Sequence, residues 1–252
     1  MLRIIISPAK KMITDPDSLE CTGLPAFMDK TEYLKNLLKD KSYSELKKLW
    51  QCNDSIAELN YNRLQNMNLE KNLTPAILSY DGIAFKYMAP AVFDYRQFDY
   101  IQSHLVILSG FYGAVRPFDG VVPYRLEMQA KLKTDRFKNL YEFWGDSLYK
   151  YVIQDCNTII NLASEEYSKT ISKYLSPDVR FITVTFADEI NGKLVEKGTK
   201  CKMARGEMVR FMAENNIENP REIMVFNRLD YVYSPENSTE DNIVFIQKKA
   251  VK

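Results

Sequence analysis

Three short apolar runs constrain this chain more than any other feature. Leu2–Ile6, Leu105–Ser109 and Thr158–Leu162 are rich in Ile, Val and Leu, and each gives way to polar or turn residues. Runs of that length with no helical period read as buried strands. Between them the spacing changes. From Asp29 to Met67 the apolar positions Leu34, Leu37, Leu38, Leu46, Leu49, Trp50, Ile56, Leu59 and Leu64 follow a helical period. Strands alternating with helices make an α/β protein, expected here as a compact single domain over 1–252 with a mixed central sheet flanked by helices. A content of 46% hydrophobic and 27% charged residues in 252 positions supplies a core for a domain of that size.

Further elements follow from local signals. Asn53 or Asp54 caps the last helix of the first helical region. Thr74-Pro75 reads as a helix start, with the helix ending at Asp81-Gly82. A short helix is expected over Phe93–Ser103, a tight turn over Gly110–Gly113, and a long helix over Leu140–Gln154. Ser164 reads as the cap of a helix opened by Glu165 and Glu166. Val179–Phe186 alternates as a strand, Asn191-Gly192 marks a hairpin, and Ala204–Glu214 is helical. Glu222–Phe226 and Asn242–Gln247 are expected as closing strands.

The totals exclude several functions. Net charge is +1, so any anion site must be local. Cysteines at 21, 52, 156 and 201 stand far apart, with no CxxC, which builds neither a zinc site nor a disulfide framework and reads as free thiols in a cytoplasmic protein. His104 is the only histidine, which excludes a multi-histidine metal site. No metal or cofactor is expected. The N-terminal apolar run is too short for a signal segment or a membrane span.

Ligands of open α/β sheets bind where strand carboxyl ends open into loops. If the three strands are neighbours, their loops form one rim holding Lys10, Arg116, Arg125, Glu127, Asn161, Ser164, Glu166 and Tyr167, with Lys202 and Arg205 adding charge from a helix start. Arg116 with Asp119, and Arg125 with Glu127, also read as plain ion pairs.

The strings I-S-P-A-K at 6–10, L-S-G-F-Y-G-A-V-R-P-F-D at 108–119, P-Y-R-L-E-M at 123–128, L-Y-E-F-W-G-D at 140–146, I-N-L-A-S-E-E-Y at 160–167 and K-M-A-R-G at 202–206 resemble, in order and spacing, the motif series of the YaaA family. That resemblance implies protection of bacteria during hydrogen peroxide stress, with lower free iron and less radical damage to DNA. It further implies a compact α/β fold with a positively charged cleft, no assigned reaction, and a helix-hairpin-helix element linked to DNA binding, here at about 53–90. Its hairpin pattern falls on Ser79–Met88 and involves Tyr80 and Gly82, but Ile83 and Tyr87 replace an Asp and the second Gly. A missing glycine weakens a backbone N–H grip on phosphate and shifts the expected contacts to Lys and Arg of the cleft. Met203 stands where the family often has Lys, and Gln129 where it usually has Gly.

The expected function is therefore peroxide-stress protection through DNA bound in a positively charged cleft, with Tyr80, Phe85 and Tyr87 stacking on unpaired bases. The alternative is an enzyme acting on a nucleotide-like or phosphorylated small anionic ligand, with Glu127 or Glu166 as base and Tyr167 as acid or positioner. Direct iron binding by Glu127, Glu166, Asp119 and Asp146 ranks last, since no histidine lies nearby.

Overall fold

In the computed structural model, which describes residues 1–248, the three apolar runs lie side by side. β1 (Leu2–Ile6) is the middle one, parallel to β3 (Leu105–Ser109) on one side and to β6 (Thr158–Leu162) on the other. β1 and β3 are buried at every position. That burial explains their unbroken hydrophobic character: helices cover both faces of a parallel sheet. β7 (Arg180–Ile190) and β10 (Asn242–Gln247) extend the parallel set. Three antiparallel strands make the sheet mixed: β4 (Gly113–Val115) on β3, β9 (Tyr231–Tyr233) on β10, and β8 (Lys193–Val195), which folds back on β7. Asn191 and Gly192 turn that hairpin with φ of 52° and 72°, the left-handed pair such a tight turn requires. A small separate pairing joins β2 (Thr74–Pro75) to β5 (Gly120–Val121).

The flanking helices are α1 (Met28–Lys39), α2 (Tyr43–Trp50), α3 (Asp54–Gln65), α4 (Ala76–Ser79), α5 (Ile83–Met88), α6 (Tyr95–His104), α7 (Leu140–Trp144), α8 (Ser147–Val152), α9 (Glu165–Ser172) and α10 (Gly198–Glu214). Ser42 and Glu45 form a capping box on α2, and Asn53 accepts the Ile56 N–H to cap α3.

Four boundaries differ from expectation for local reasons. Thr74-Pro75 pairs as a strand, and the Thr74 hydroxyl accepts the Asp15 N–H, 2.8 Å away, instead of capping a helix. The helix expected over Leu140–Gln154 breaks at Gly145, whose φ is 54°. Glu222–Phe226 is not a strand: Pro220–Val225 is a 3-10 helix opened by an Asn219/Glu222 capping box, and β9 pairs with β10 in its place. α10 starts at Gly198, six residues before Ala204. The segment at 53–90, expected to carry a helix-hairpin-helix-like element, holds α3, β2 and the short helices α4 and α5. The three-residue joint between α4 and α5 is Tyr80-Asp81-Gly82, and α5 lies along α10.

Taken in chain order, the five parallel strands sit second, first, third, fourth, fifth across the sheet. The chain leaves β1 for β3 on one side and later takes its place beside β1 on the other as β6. The loops after β1 and β6 therefore part at their carboxyl ends. In doubly wound sheets such a switch point leaves a crevice for a ligand.

Candidate functional site

A cavity of about 380 Å³ opens at that switch point. Its walls come from the loop after β1, the start of α9, the extended segment Tyr124–Glu127, the joint before α5, and Lys202 and Arg205 of α10.

Each wall is held by an identifiable contact. Ser7 Oγ accepts the Ser164 N–H at 2.8 Å and lies 3.1 Å from Ser164 Oγ. Ser164 occupies the N-cap position of α9, but its side chain caps nothing; its hydroxyl faces Ser7 across the two loops. Gly110 backs the Tyr124–Glu127 segment. A Cβ there would stand 2.5 Å from the Leu126 carbonyl oxygen, so only glycine allows this approach. Gly206 plays the same part between helices, since a Cβ on it would reach 1.9 Å from the Ala84 carbonyl oxygen. This backbone contact between α10 and α5 sets Lys202 and Arg205 against the joint at Asp81-Gly82.

The extended segment alternates. Tyr124 and Leu126 are buried, while Arg125 and Glu127 keep a small exposed fraction. Ser109 Oγ accepts the N–H groups of Phe111 and Tyr112 at 3.1 and 2.9 Å, which leaves its own proton for the Tyr124 hydroxyl 2.6 Å away. Tyr80 meets the same hydroxyl at 3.0 Å. Burial pushes the Tyr124 phenol up to about 12, against the effect of those hydrogen bonds. Burial first, then the nearby Tyr124 and Glu166, raises Tyr167 well above the usual phenol range. Both rings are neutral at physiological pH.

The charges divide into an inner and an outer set. Inside, the Arg125 side chain is 90% buried, at 10% exposure, and its Nη2 lies 3.1 Å from Glu127 Oε1 and 3.4 Å from the Trp50 carbonyl oxygen. The approach to Glu127 lacks hydrogen-bond geometry. Among the described residues, Arg125 Nε, Arg205 Nε and Glu127 Oε1 are buried without a hydrogen-bond partner. Outside, Lys10 and Lys11 are 67% and 72% exposed and reach Glu127 and Asp81. Lys86 pairs with Asp81 at 3.3 Å. The bond to Lys11, then that to Lys86, holds the Asp81 carboxyl below its ordinary range. Lys202 is exposed and makes no ion pair among the described residues, whereas Arg205 leans on Glu196 at 3.4 Å.

Of the residues read from the sequence, the fold brings Lys10, Arg125, Glu127, Ser164, Glu166, Tyr167, Lys202, Arg205 and Gly82 to this cavity. Glu166 accepts the Gln129 N–H at 3.1 Å, which pins the neighbouring loop. Arg116, Asn161 and Tyr80 lie elsewhere. The Arg116 guanidinium binds the carbonyls of Gln102 and Ser103 at the end of α6. Asn161 lies within β6, where it donates to Thr183 of β7 and accepts the Ala163 N–H. Tyr80 is 2% exposed, and Phe85 4%, so neither ring is free to stack on a base as expected. Sequence reasoning passed over Ser7, Asp81 and Tyr124 as site residues. Tyr124 sits inside the quoted P-Y-R-L-E-M string, and its alternation with Arg125 was the available signal. Among the described residues, no group of three or more His, Cys, Asp or Glu side chains is arranged to hold a metal ion, and no helix is long and apolar enough to cross a membrane.

Comparison with known proteins gives one consistent result. A family model described as peroxide stress protein YaaA matches residues 2–237. A UPF0246 protein of Agathobacter rectalis is 57% identical over 249 residues, covering 99% of this chain and 100% of the relative. A UPF0246 protein of Desulfitobacterium hafniense is 53% identical and one of Pediococcus pentosaceus 49%, each covering 100% of both chains.

Proposed function

Since this chain belongs to the peroxide stress protein YaaA family, we propose that it protects DNA from iron-driven damage by binding it across the mouth of the switch-point cavity. The observation that carries this reading is the outer charge set. Lys10, Lys11 and Lys202 line one mouth, with Lys86 paired to its Asp81, in a chain whose net charge is only +1. Exposed lysines on mobile stems suit phosphate, and their contacts are independent of sequence. The whole chain works as one unit in the cytoplasm, where its four unpaired cysteines stay reduced.

The test is plasmid nicking by ferrous iron and hydrogen peroxide. Wild-type protein is expected to slow nicking, and Lys10→Ala/Lys11→Ala/Lys202→Ala to lose that effect. Equal protection by both proteins would refute the role given to the mouth.

A second reading has its own support. The inner set, with Arg125 and Glu127 on one segment and neutral Tyr124 and Tyr167 beside them, suits an enzyme acting on a nucleotide-like or phosphorylated small ligand. Glu127 or Glu166 would take a proton and Tyr167 would supply one. Turnover of a nucleotide pool by purified protein would favour it.

A further inference from the structure

We propose that the inner cavity is a pocket for a single unpaired nucleotide, with guanine the favoured base. The proposal rests on the DNA reading only for how the nucleotide arrives.

Size comes first. A cavity of about 380 Å³ falls at the low end of the roughly 300–1,000 Å³ range of small-molecule sites. It is roomy enough for one base, whereas a duplex, with its stacked bases held between two backbones, cannot enter it. Duplex DNA can therefore contact the lysines at the mouth while only a nucleotide turned out of the stack enters. Proteins that take a base this way read its Watson–Crick edge and cover its faces with apolar and aromatic side chains.

The walls suit both tasks. Leu126, Leu162, Tyr124 and Tyr167 supply apolar and aromatic surface along the wall. The polar lining includes the Arg125 guanidinium beside the Glu127 carboxylate, two residues apart on the same extended segment, with Glu166 and Arg205 also at the wall. Arg125 and Glu127 lie 3.1 Å apart without a proper hydrogen bond. Arg125 Nε and Glu127 Oε1 are buried without a hydrogen-bond partner among the described residues. The two side chains are ion-paired, and Lys10 also reaches Glu127 Oε1 at 3.4 Å, but buried polar atoms left without a hydrogen bond are costly, so a ligand that supplies those bonds is favoured.

The donor and acceptor pattern selects the base. Guanine presents the O6 acceptor beside the N1–H and N2–H donors, which a carboxylate accepts together while Arg takes O6 or N7. Adenine and cytosine offer a carboxylate one amino group. Thymine offers a single N–H flanked by two carbonyls that would repel Glu127. Guanine therefore ranks first and thymine last.

The experiment measures fluorescence anisotropy with a duplex carrying one unpaired central nucleotide, G, A, C or T, against the fully paired duplex. Calorimetry with dGMP and dTMP runs alongside. The unpaired-G duplex is expected to bind about tenfold more tightly than the paired and unpaired-T duplexes, and dGMP more tightly than dTMP. Glu127→Gln, checked for folding by its melting temperature, is expected to bring the G-over-T ratio toward one. Equal binding of all five duplexes by wild type would overturn the pocket and leave the DNA reading standing. Binding of dGMP over dTMP with no DNA binding would support the pocket and end the DNA reading. No binding of either would overturn both.

Discussion

Asp119 shows how one residue reports on its surroundings. Its carboxyl is buried, and burial raises it to about 6, against the Arg116 N–H it accepts at 2.7 Å. The folded state therefore holds this proton more tightly than the unfolded chain, where an Asp titrates near 3.9. Stability is lost as pH rises from about 4 to about 6 and is level above that. The full effect is about 3 kcal/mol, and Asp119→Asn is expected to flatten it in urea titrations at pH 4.5 and 7. Tyr124 gives a second expectation. Tyr124→Phe leaves the Ser109 and Tyr80 hydroxyls buried without their partner, at a cost of about 1–3 kcal/mol, measurable as a lower denaturation midpoint. Sequence reading anticipated the position of Lys10 and Ser164 at the cavity, because a side chain's direction follows from its strand end. It failed where a carbonyl or a neighbouring strand claimed the group. Arg116 follows an antiparallel edge strand, which turns it toward α6, and Asn161 lies inside β6 instead of beyond it. Nothing local in the sequence reveals the turn of Arg116, whereas the strand bounds Thr158–Leu162 already enclosed Asn161.

Elements were legible where their signals were local. The buried strands, the capped helices and the Asn191-Gly192 hairpin all carry their cause within a few residues. Boundaries went astray where the cause was tertiary. The first turns of α10 are rich in Lys and poor in apolar residues, yet Lys197 and Lys200 bind Asp188 of β7 and draw the helix out to Gly198. The position of α10 depends in turn on Gly206. Gly206→Ala drives a methyl into the α5 backbone, so it is expected to cost about 3 kcal/mol and to displace Lys202 and Arg205 from the cavity. Urea denaturation checks the first effect. The second is checked by loss of binding in the fraction that remains folded. Ser7→Ala tests the loop clasp: losing the acceptor for the Ser164 N–H is expected to cost about 1 kcal/mol.

At the scale of the whole molecule, function follows from strand order. Because β1 lies between β3 and β6, loops from distant parts of the sequence meet at one opening. The motif strings foreshadowed that meeting, since three of them lie at strand ends, but the crossover that creates the cavity is not written in any one of them. The near-neutral chain places exposed lysines at this opening and keeps the inner guanidinium and carboxylate mostly away from solvent. The most direct test of the claim that this mouth binds DNA is the salt dependence of duplex affinity. Anisotropy titrations would compare wild type with Lys10→Ala/Lys11→Ala/Lys202→Ala across a series of salt concentrations. A linear fall of log affinity with log salt is expected, with a slope shallower by about 2–3 in the triple variant. Identical slopes for the two proteins, or no duplex binding even at low salt, would contradict the assignment.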